Sequence, residues 1–262
     1  MVTATTRSTR GRLAVQVAGA DAVEVKATIA PRQISKALAL FGVTLPRAEK
    51  RFISFFDTAG LDLFKSGLIA RARRIPGRAH DSTIKFRPVR FEDVPAQWHK
   101  DKGFKIEADA TGRTIVLSAS LTRDVPKGLI KRITAGNEPL KALFDSAQEK
   151  FVAQISGRRC DFAVLTELGP MDAAWWKIDH PGLPWPFVAE LWVRPDGAKT
   201  LEASVRVPIA QAAVAEAGFL AFLAELGASP AADQLAKTRW AIEYFSRRRA
   251  KSARVKKRAK AS

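Results

Sequence analysis

Apolar and polar residues alternate along much of the chain. Residues 22–29 (AVEVKATI) alternate cleanly, and a period of two marks a strand whose faces differ. Comparable segments lie at 50–57 (KRFISFFD), 67–74 (GLIARARR), 82–88 (STIKFRP) and 103–109 (GFKIEAD). Further strands are expected near 150–158, 160–167, 173–180, 186–194 and 200–207. Helices are expected over 31–42, starting at Pro31 with apolar positions Ile34, Leu38 and Leu40. Residues 113–146 read as helical, with caps at Thr122 and Asn137 and a break at Pro126, as do the Ala/Leu-rich stretches 209–224 and 230–246. Many strands without regular strand–helix alternation argue against a doubly wound parallel sheet. An α+β fold is expected, built on an antiparallel barrel or strongly curved sheet with helices around it.

Residues two apart on a strand share a face. Glu24 and Lys26 oppose Val23, Val25 and Ala27; Arg71 and Arg73 oppose Ala70 and Ala72. Lys85 and Arg87 oppose Ile84 and Phe86; Lys105, Glu107 and Asp109 oppose Phe104 and Ile106; Glu202 and Arg206 oppose Ala203, Val205 and Val207. A sheet with one solvated face explains this pattern. A closed sheet with a charged lumen explains it too, and accounts better for mid-strand Arg, Lys and Glu in place of Thr, Ser and Gln. Closure would point many cations inward, a repulsion expected to be offset by a polyanion. Arg offers phosphate oxygens paired donors and Lys a point charge.

Composition narrows the chemistry. No run approaches the 18 or so apolar residues of a membrane-spanning helix. Cys160 is the only cysteine, which excludes an intramolecular disulfide and a Cys-based zinc cage and fits a reducing, cytoplasmic setting. His80, His99 and His180 lack metal-ligand spacing, so a divalent ion would need carboxylate oxygens, which suit Mg²⁺, Mn²⁺ or Ca²⁺. The net charge is +18, but residues 247–262 hold nine Lys/Arg and no acid, and Arg7, Arg10 and Arg12 precede the first acid. Residues 21–246 therefore carry only about +6. Three parts are expected: a disordered basic lead-in (1–20), one folded domain with a helical C-terminus (21–246), and a disordered basic tail (247–262). Such a tail makes non-specific contact with nucleic acid.

The stretch FFDTAGLDLFKSGLIARARR (55–74) resembles the signature of the CYTH, or triphosphate tunnel, superfamily, with Asp57, Thr58, Leu63, Gly67, Arg71 and Arg73 at the matching positions. AVEVK (22–26) resembles the family's E-x-E-x-K strand and STIKF (82–86) its T-x-K strand; GRRCDF (157–162) and PFVAELWV (186–193) resemble its later basic and acidic strands. TLEASVRVP (200–208) competes for the last assignment. The resemblance implies an antiparallel eight-stranded barrel that binds a triphosphate or polyphosphate. It implies metal-dependent hydrolysis of inorganic triphosphate or a related small triphosphate, with Mg²⁺ or Mn²⁺ as cofactor. A class IV adenylate cyclase-like activity and a non-catalytic binder that has lost metal ligands are the alternatives. Lys26, Arg71, Arg73 and Lys85 would grip phosphate, joined by Arg158 or Arg159. Glu24, Glu107 and Glu190 would hold metal. Ala22 replaces the first glutamate of E-x-E-x-K, and Asp21 lies one place out of register, so the acidic shell is thinned.

Other features have plainer explanations. Trp175, Trp176, Trp185 and Trp192 are expected in the core, Pro181, Pro184 and Pro186 in a rigid turn, and Lys237 and Arg239 on a solvated helix face. Two arginines before Cys160 favour a thiolate, but no general base stands beside it in sequence, so a structural role is expected.

Overall fold

The computed structural model describes residues 19–259 apart from Arg113, Ser229 and Leu235, with side chains beyond residue 252 left aside. The expected lead-in therefore lies almost wholly outside the described residues. Nine strands are described: β1 (Ala22–Ile29), β2 (Glu49–Asp57), β3 (Leu68–Arg74), β4 (His80–Phe86), β5 (Phe104–Thr111), β6 (Thr114–Val125), β7 (Thr166–Ile178), β8 (Phe187–Val193) and β9 (Lys199–Val207). They close a barrel in the order β1-β5-β6-β4-β3-β2-β7-β8-β9. Around it lie α1 (Ile34–Leu40), α2 (Asp62–Lys65), α3 (Leu129–Thr134), α4 (Ser146–Ser156), α5 (Ala212–Glu225) and α6 (Lys237–Ala259).

Two expectations about the sheet are corrected. The barrel has nine strands, not eight, and β1 pairs with β5 in parallel while all other neighbours are antiparallel. Closure brings the first strand beside the fifth, and the chain direction makes that seam parallel. The helix expected over 113–146 is mostly the long strand β6, which pairs with β5 and β4 on its two sides. Thr122 is a strand residue there, not a cap. The strand expected at 150–158 is instead α4, started by a capping box between Asp145 and Gln148. Residues 160–167 hold a short 3₁₀ turn before β7 begins.

The apolar face of each strand points outward, under helices. Val23, Val25, Ala27 and Ile29 join a core with Phe219, Phe222 and Leu223 of α5 and Ala37 of α1. Ile84, Phe86, Ile106 and Leu121 pack against Phe151 and Val152 of α4. The exception is a third cluster, where Ile53, Phe55, Leu168, Met171 and Trp192 meet Ala241, Ile242 and Phe245 of α6. Ile53, Met171 and Trp192 stand in register with lumen positions, so α6 packs against the lumen side of β2, β7 and β8.

The sequence signature at 55–74 is partly scaffold. Asp57 is buried, and its carboxylate accepts from the backbone N–H groups of Thr58 (2.7 Å), Leu63 (3.0 Å) and Phe64 (2.9 Å), which fixes the chain reversal into α2. Gly67 has φ +79°, and a Cβ there would sit 2.8 Å from the carbonyl oxygen of Arg87, so glycine is required. Asp57→Ala would leave three N–H groups without their acceptor and is expected to cost about 3 kcal/mol of unfolding free energy. Urea denaturation of the variant checks this, and a loss below about 1 kcal/mol would contradict the assigned role.

Candidate functional site

Strand register decides which charged residues meet inside the barrel. Glu24 of β1 stands opposite Asp109 of β5, and Glu190 of β8 opposite Glu202 of β9. Directly opposed like charges destabilise a sheet, and these are taken out of water as well. Each pair is held by a lysine. Lys26 reaches Glu24 at 2.9 Å and Asp109 at 2.7 Å. Lys237, the first residue of α6, bonds Glu190 and lies 2.9 Å from Glu202.

The remaining lumen cations extend this network. Lys85 and Arg87 each approach Asp109 at 3.4 Å. Arg73 grips Asp81 at 2.8–3.0 Å. Arg51 pairs with Glu49 at 2.6 Å, approaches Glu190 at 3.7 Å, and stacks on Trp175. Arg206 holds Glu107 at 2.9 Å. The expectation that only a polyanion would offset cation repulsion is thereby corrected, because carboxylates on neighbouring strands supply much of the balance.

Arg71 is the exception. No carboxylate among the described residues pairs with it; one Nη reaches Thr83 at 3.3 Å and its Nε is buried without a partner. Burial first, then the adjacent Arg73, pull the guanidinium down to about 10. A donor set held this way is preorganised for an incoming oxyanion.

The carboxylates show the opposite balance. Burial would raise Asp109, yet Lys26, Lys85 and Arg87 hold it well below the usual carboxylate range. Burial would raise Glu190 too; Lys237 and then Arg51 overcome it and hold the group at about 2. Lys26 is raised by Glu24 and Asp109 against its own desolvation.

Of the residues singled out from the sequence, Lys26, Arg71, Arg73, Lys85, Glu24, Glu107 and Glu190 all lie on the lumen face. Arg158 and Arg159 do not: they follow α4 on the exterior, exposed, where no strand forms. Cys160 beside them is raised to about 11, chiefly by burial and then by Asp161 and Asp57, so the preceding arginines do not activate it. Asp21 is exposed and accepts from the backbone of Ile106 at 2.8 Å. Sequence reasoning passed over Asp109, Glu202, Arg51 and Lys237 as site residues. Asp109 and Glu202 were legible as members of charged faces. Lys237 was not, because its partners are 47 and 35 residues away in sequence.

The fit of a divalent ion follows from this pairing. Glu24, Glu107 and Glu190 each answer to a different cation, and no cluster of three or more ligating groups forms among the described residues. The donor set as arranged holds ammonium and guanidinium groups, and does not fit the Mg²⁺ or Mn²⁺ implied by the resemblance.

Helix α6 also crosses residue 247, where a disordered tail was expected to start. Arg249 bonds the carbonyl oxygens of Thr58 (3.0 Å) and Ala59 (3.1 Å) and the hydroxyl of Thr166. The start of the basic run is thus an anchor on the barrel.

No protein-family model matches the chain, and no curated protein matches it. Solved structures do. HpAC1 of Hippeastrum, a candidate adenylyl cyclase with a dominant triphosphatase activity, superposes with a TM-score of 0.58 at 14% identity, covering 82% of this chain and 92% of that one. A candidate adenylate cyclase of Bacillus halodurans gives 0.57 at 12% identity, covering 83% and 96%. The likeness establishes the fold. That fold is a closed barrel with helices around it, and at this identity the likeness assigns neither family nor activity.

Lys237→Met tests the lumen network. Glu190 ionises below its ordinary 4.5, so its contribution is present above that pH and is lost as pH falls toward 2. The variant leaves two opposed carboxylates without their shared cation. It is expected to lose about 2 kcal/mol at pH 7, and to unfold in acid at a higher pH than the wild type. An unshifted acid midpoint would show that Lys237 does not balance the pair.

Proposed function

We propose that the chain is a CYTH-type phosphate-chain-binding protein whose lumen takes a triphosphate or polyphosphate. The observation that carries this reading is Arg71, a half-buried lumen residue whose Nε is buried without a partner and which pairs with no carboxylate among the described residues. Arg73, Lys85 and Lys26 lie on the same face, where an anion would exchange their carboxylates for phosphate oxygens. Such an exchange keeps the cations' own charge-assisted hydrogen bonds, while the carboxylates they release need water or another cation.

Hydrolysis of a phosphoanhydride is the second reading. It is favoured by the two opposed carboxylate pairs, Glu24–Asp109 and Glu190–Glu202, which would become available to a divalent cation if their lysines turned to a ligand. Binding needs only the cations to turn to the anion; hydrolysis also needs the released carboxylates to take up a divalent ion.

Calorimetric titration with tripolyphosphate, in Mg²⁺, in Mn²⁺ and in EDTA, separates the two. Binding is expected in EDTA, and Arg71→Ala is expected to weaken it by roughly ten- to a hundredfold. Unchanged affinity in Arg71→Ala would end the lumen reading. Phosphate release that appears only with Mg²⁺ or Mn²⁺ would establish the hydrolytic one.

A further inference from the structure

On the outside of the barrel, α2, the end of α4 and the segment after it enclose a cleft of about 660 Å³. Its floor is apolar, built from Leu63, Leu68, Phe86, Val152, Ile155 and Leu165. Arg158 and Arg159 stand on its margin, exposed, in a loop fixed where the hydroxyl of Ser156 accepts from the N–H of Arg158 at 3.2 Å. The acids around the cleft are engaged elsewhere. Asp93 is held by Arg90 at 2.8–3.0 Å, Asp62 accepts from the hydroxyl of Thr58 at 2.6 Å, and Asp161 accepts from the N–H of Ala163 at 2.9 Å. Among the described residues, Arg158 and Arg159 therefore form no ion pair.

Helix α6 comes to rest at the edge of this cleft. Arg249 bonds the carbonyl oxygen of Thr58 and the hydroxyl of Thr166; Thr58 itself and Leu165, the residue before Thr166, line the cleft. Helical register then fixes which side of α6 is left for a partner. Ala241, Ile242 and Phe245 are buried on the barrel, and Arg249 continues their face one turn on. Two residues along a helix turn the side chain by about 200°, so Arg247 and Lys251 lie on the opposite face. The side chain of Arg247 is 71% exposed, and Lys251 is exposed as well. Arg247 meets Glu243 at only 3.8 Å, and no acid follows Glu243 in the sequence.

Two features narrow the partner. Past Phe245 the sequence holds no Leu, Phe or Trp, the side chains with which an interfacial helix enters lipid. A chain of phosphates alone would leave the apolar floor of the cleft unused, whereas an unstacked base covers such a surface while its phosphates meet arginines. The bases of a duplex are paired and stacked, and cannot enter.

We infer that α6 and the cleft form a site for single-stranded nucleic acid, with phosphates on Arg158, Arg159, Arg247 and Lys251 and an unpaired base on the cleft floor. The site is separate from the lumen, and the inference does not depend on how the lumen is used.

The test measures binding of single-stranded and duplex oligonucleotides by fluorescence anisotropy across a salt series. Their 5′-hydroxyl ends offer the lumen no triphosphate. Wild type is compared with Arg158→Gln/Arg159→Gln and with Arg247→Gln/Lys251→Gln, all at exposed positions, so both variants are expected to fold. Each pair should weaken single-strand binding roughly tenfold, and should flatten the slope of log K against log salt by about 1.4, the share of two phosphate contacts. Tripolyphosphate affinity should stay within about twofold of wild type in both. The basic run past residue 252 is common to all variants, so the comparison reads only the substituted residues. Single-strand affinity undiminished in either pair overturns the inference, as does duplex bound as tightly as single strand. A matching loss of tripolyphosphate affinity overturns it by assigning those cations to the lumen. Tighter wild-type binding to phosphatidylserine vesicles or to polyglutamate overturns it in favour of a lipid surface or an acidic protein.

Discussion

The shared lysine between two opposed carboxylates is the interaction on which the barrel depends. Closing the sheet sets Glu24 against Asp109 and Glu190 against Glu202, arrangements that would repel strongly in a partly dehydrated interior. A lysine placed between each pair turns repulsion into a three-centre network. Lys26 comes from the strand itself and is present as soon as β1 pairs. Lys237 comes from a helix far along the chain, so half of the balance waits until α6 docks.

That makes α6 more than a cover. Its apolar face packs on Ile53, Phe55, Met171 and Trp192, residues on the inner side of strands whose other inner positions are charged. Its first residue neutralises the lumen, and Arg249 twelve residues on ties it to the rim near Thr58 and Thr166. Apolar burial supplies most of the docking free energy, while the ion pairs set where along the barrel the helix stops. The two ends of α6 thus meet different levels of the barrel, Lys237 at Glu190 and Arg249 at the start of β7.

Much of the fold was legible because the strands write their faces plainly. AVEVK, LIARARR and STIKF each separate small or branched apolar residues from cations, and the structure places those faces outward and inward as the closed-sheet reading requires. The stretch 114–125 was misread because TIVLSASLTRDV mixes Ser and Leu without clear alternation; pairing on both sides, with β4 and β5, overrides that weak local signal. The helix at 146–156 was misread as strand because its start is fixed by Asp145 and Gln148 across a capping box, a signal shorter than the window used to see periodicity. Acidic partners were half legible. Asp109 and Glu202 stood on the right faces, but which carboxylates oppose one another depends on register between distant strands, and the parallel β1–β5 seam that joins Glu24 to Asp109 has no local signature.

The signature at 55–74 divides between two duties. Asp57 spends its oxygens on three backbone N–H groups and Gly67 makes room for the carbonyl of Arg87, so these two build the turn that starts β3 at the right height. Arg71 and Arg73 then arrive at fixed depths, one on Thr83 and the other on Asp81. The difference between them is informative. Arg73 has a carboxylate directly across the strand pair at Asp81, whereas the residue across from Arg71 is Thr83, a neutral acceptor that leaves most of the guanidinium unsatisfied. An acid at position 83 would complete the ion-pair ladder and remove the vacancy. The threonine keeps one cation in reserve where the other lumen charges are already spoken for, and a uniformly paired lumen would have no such preference for an incoming anion.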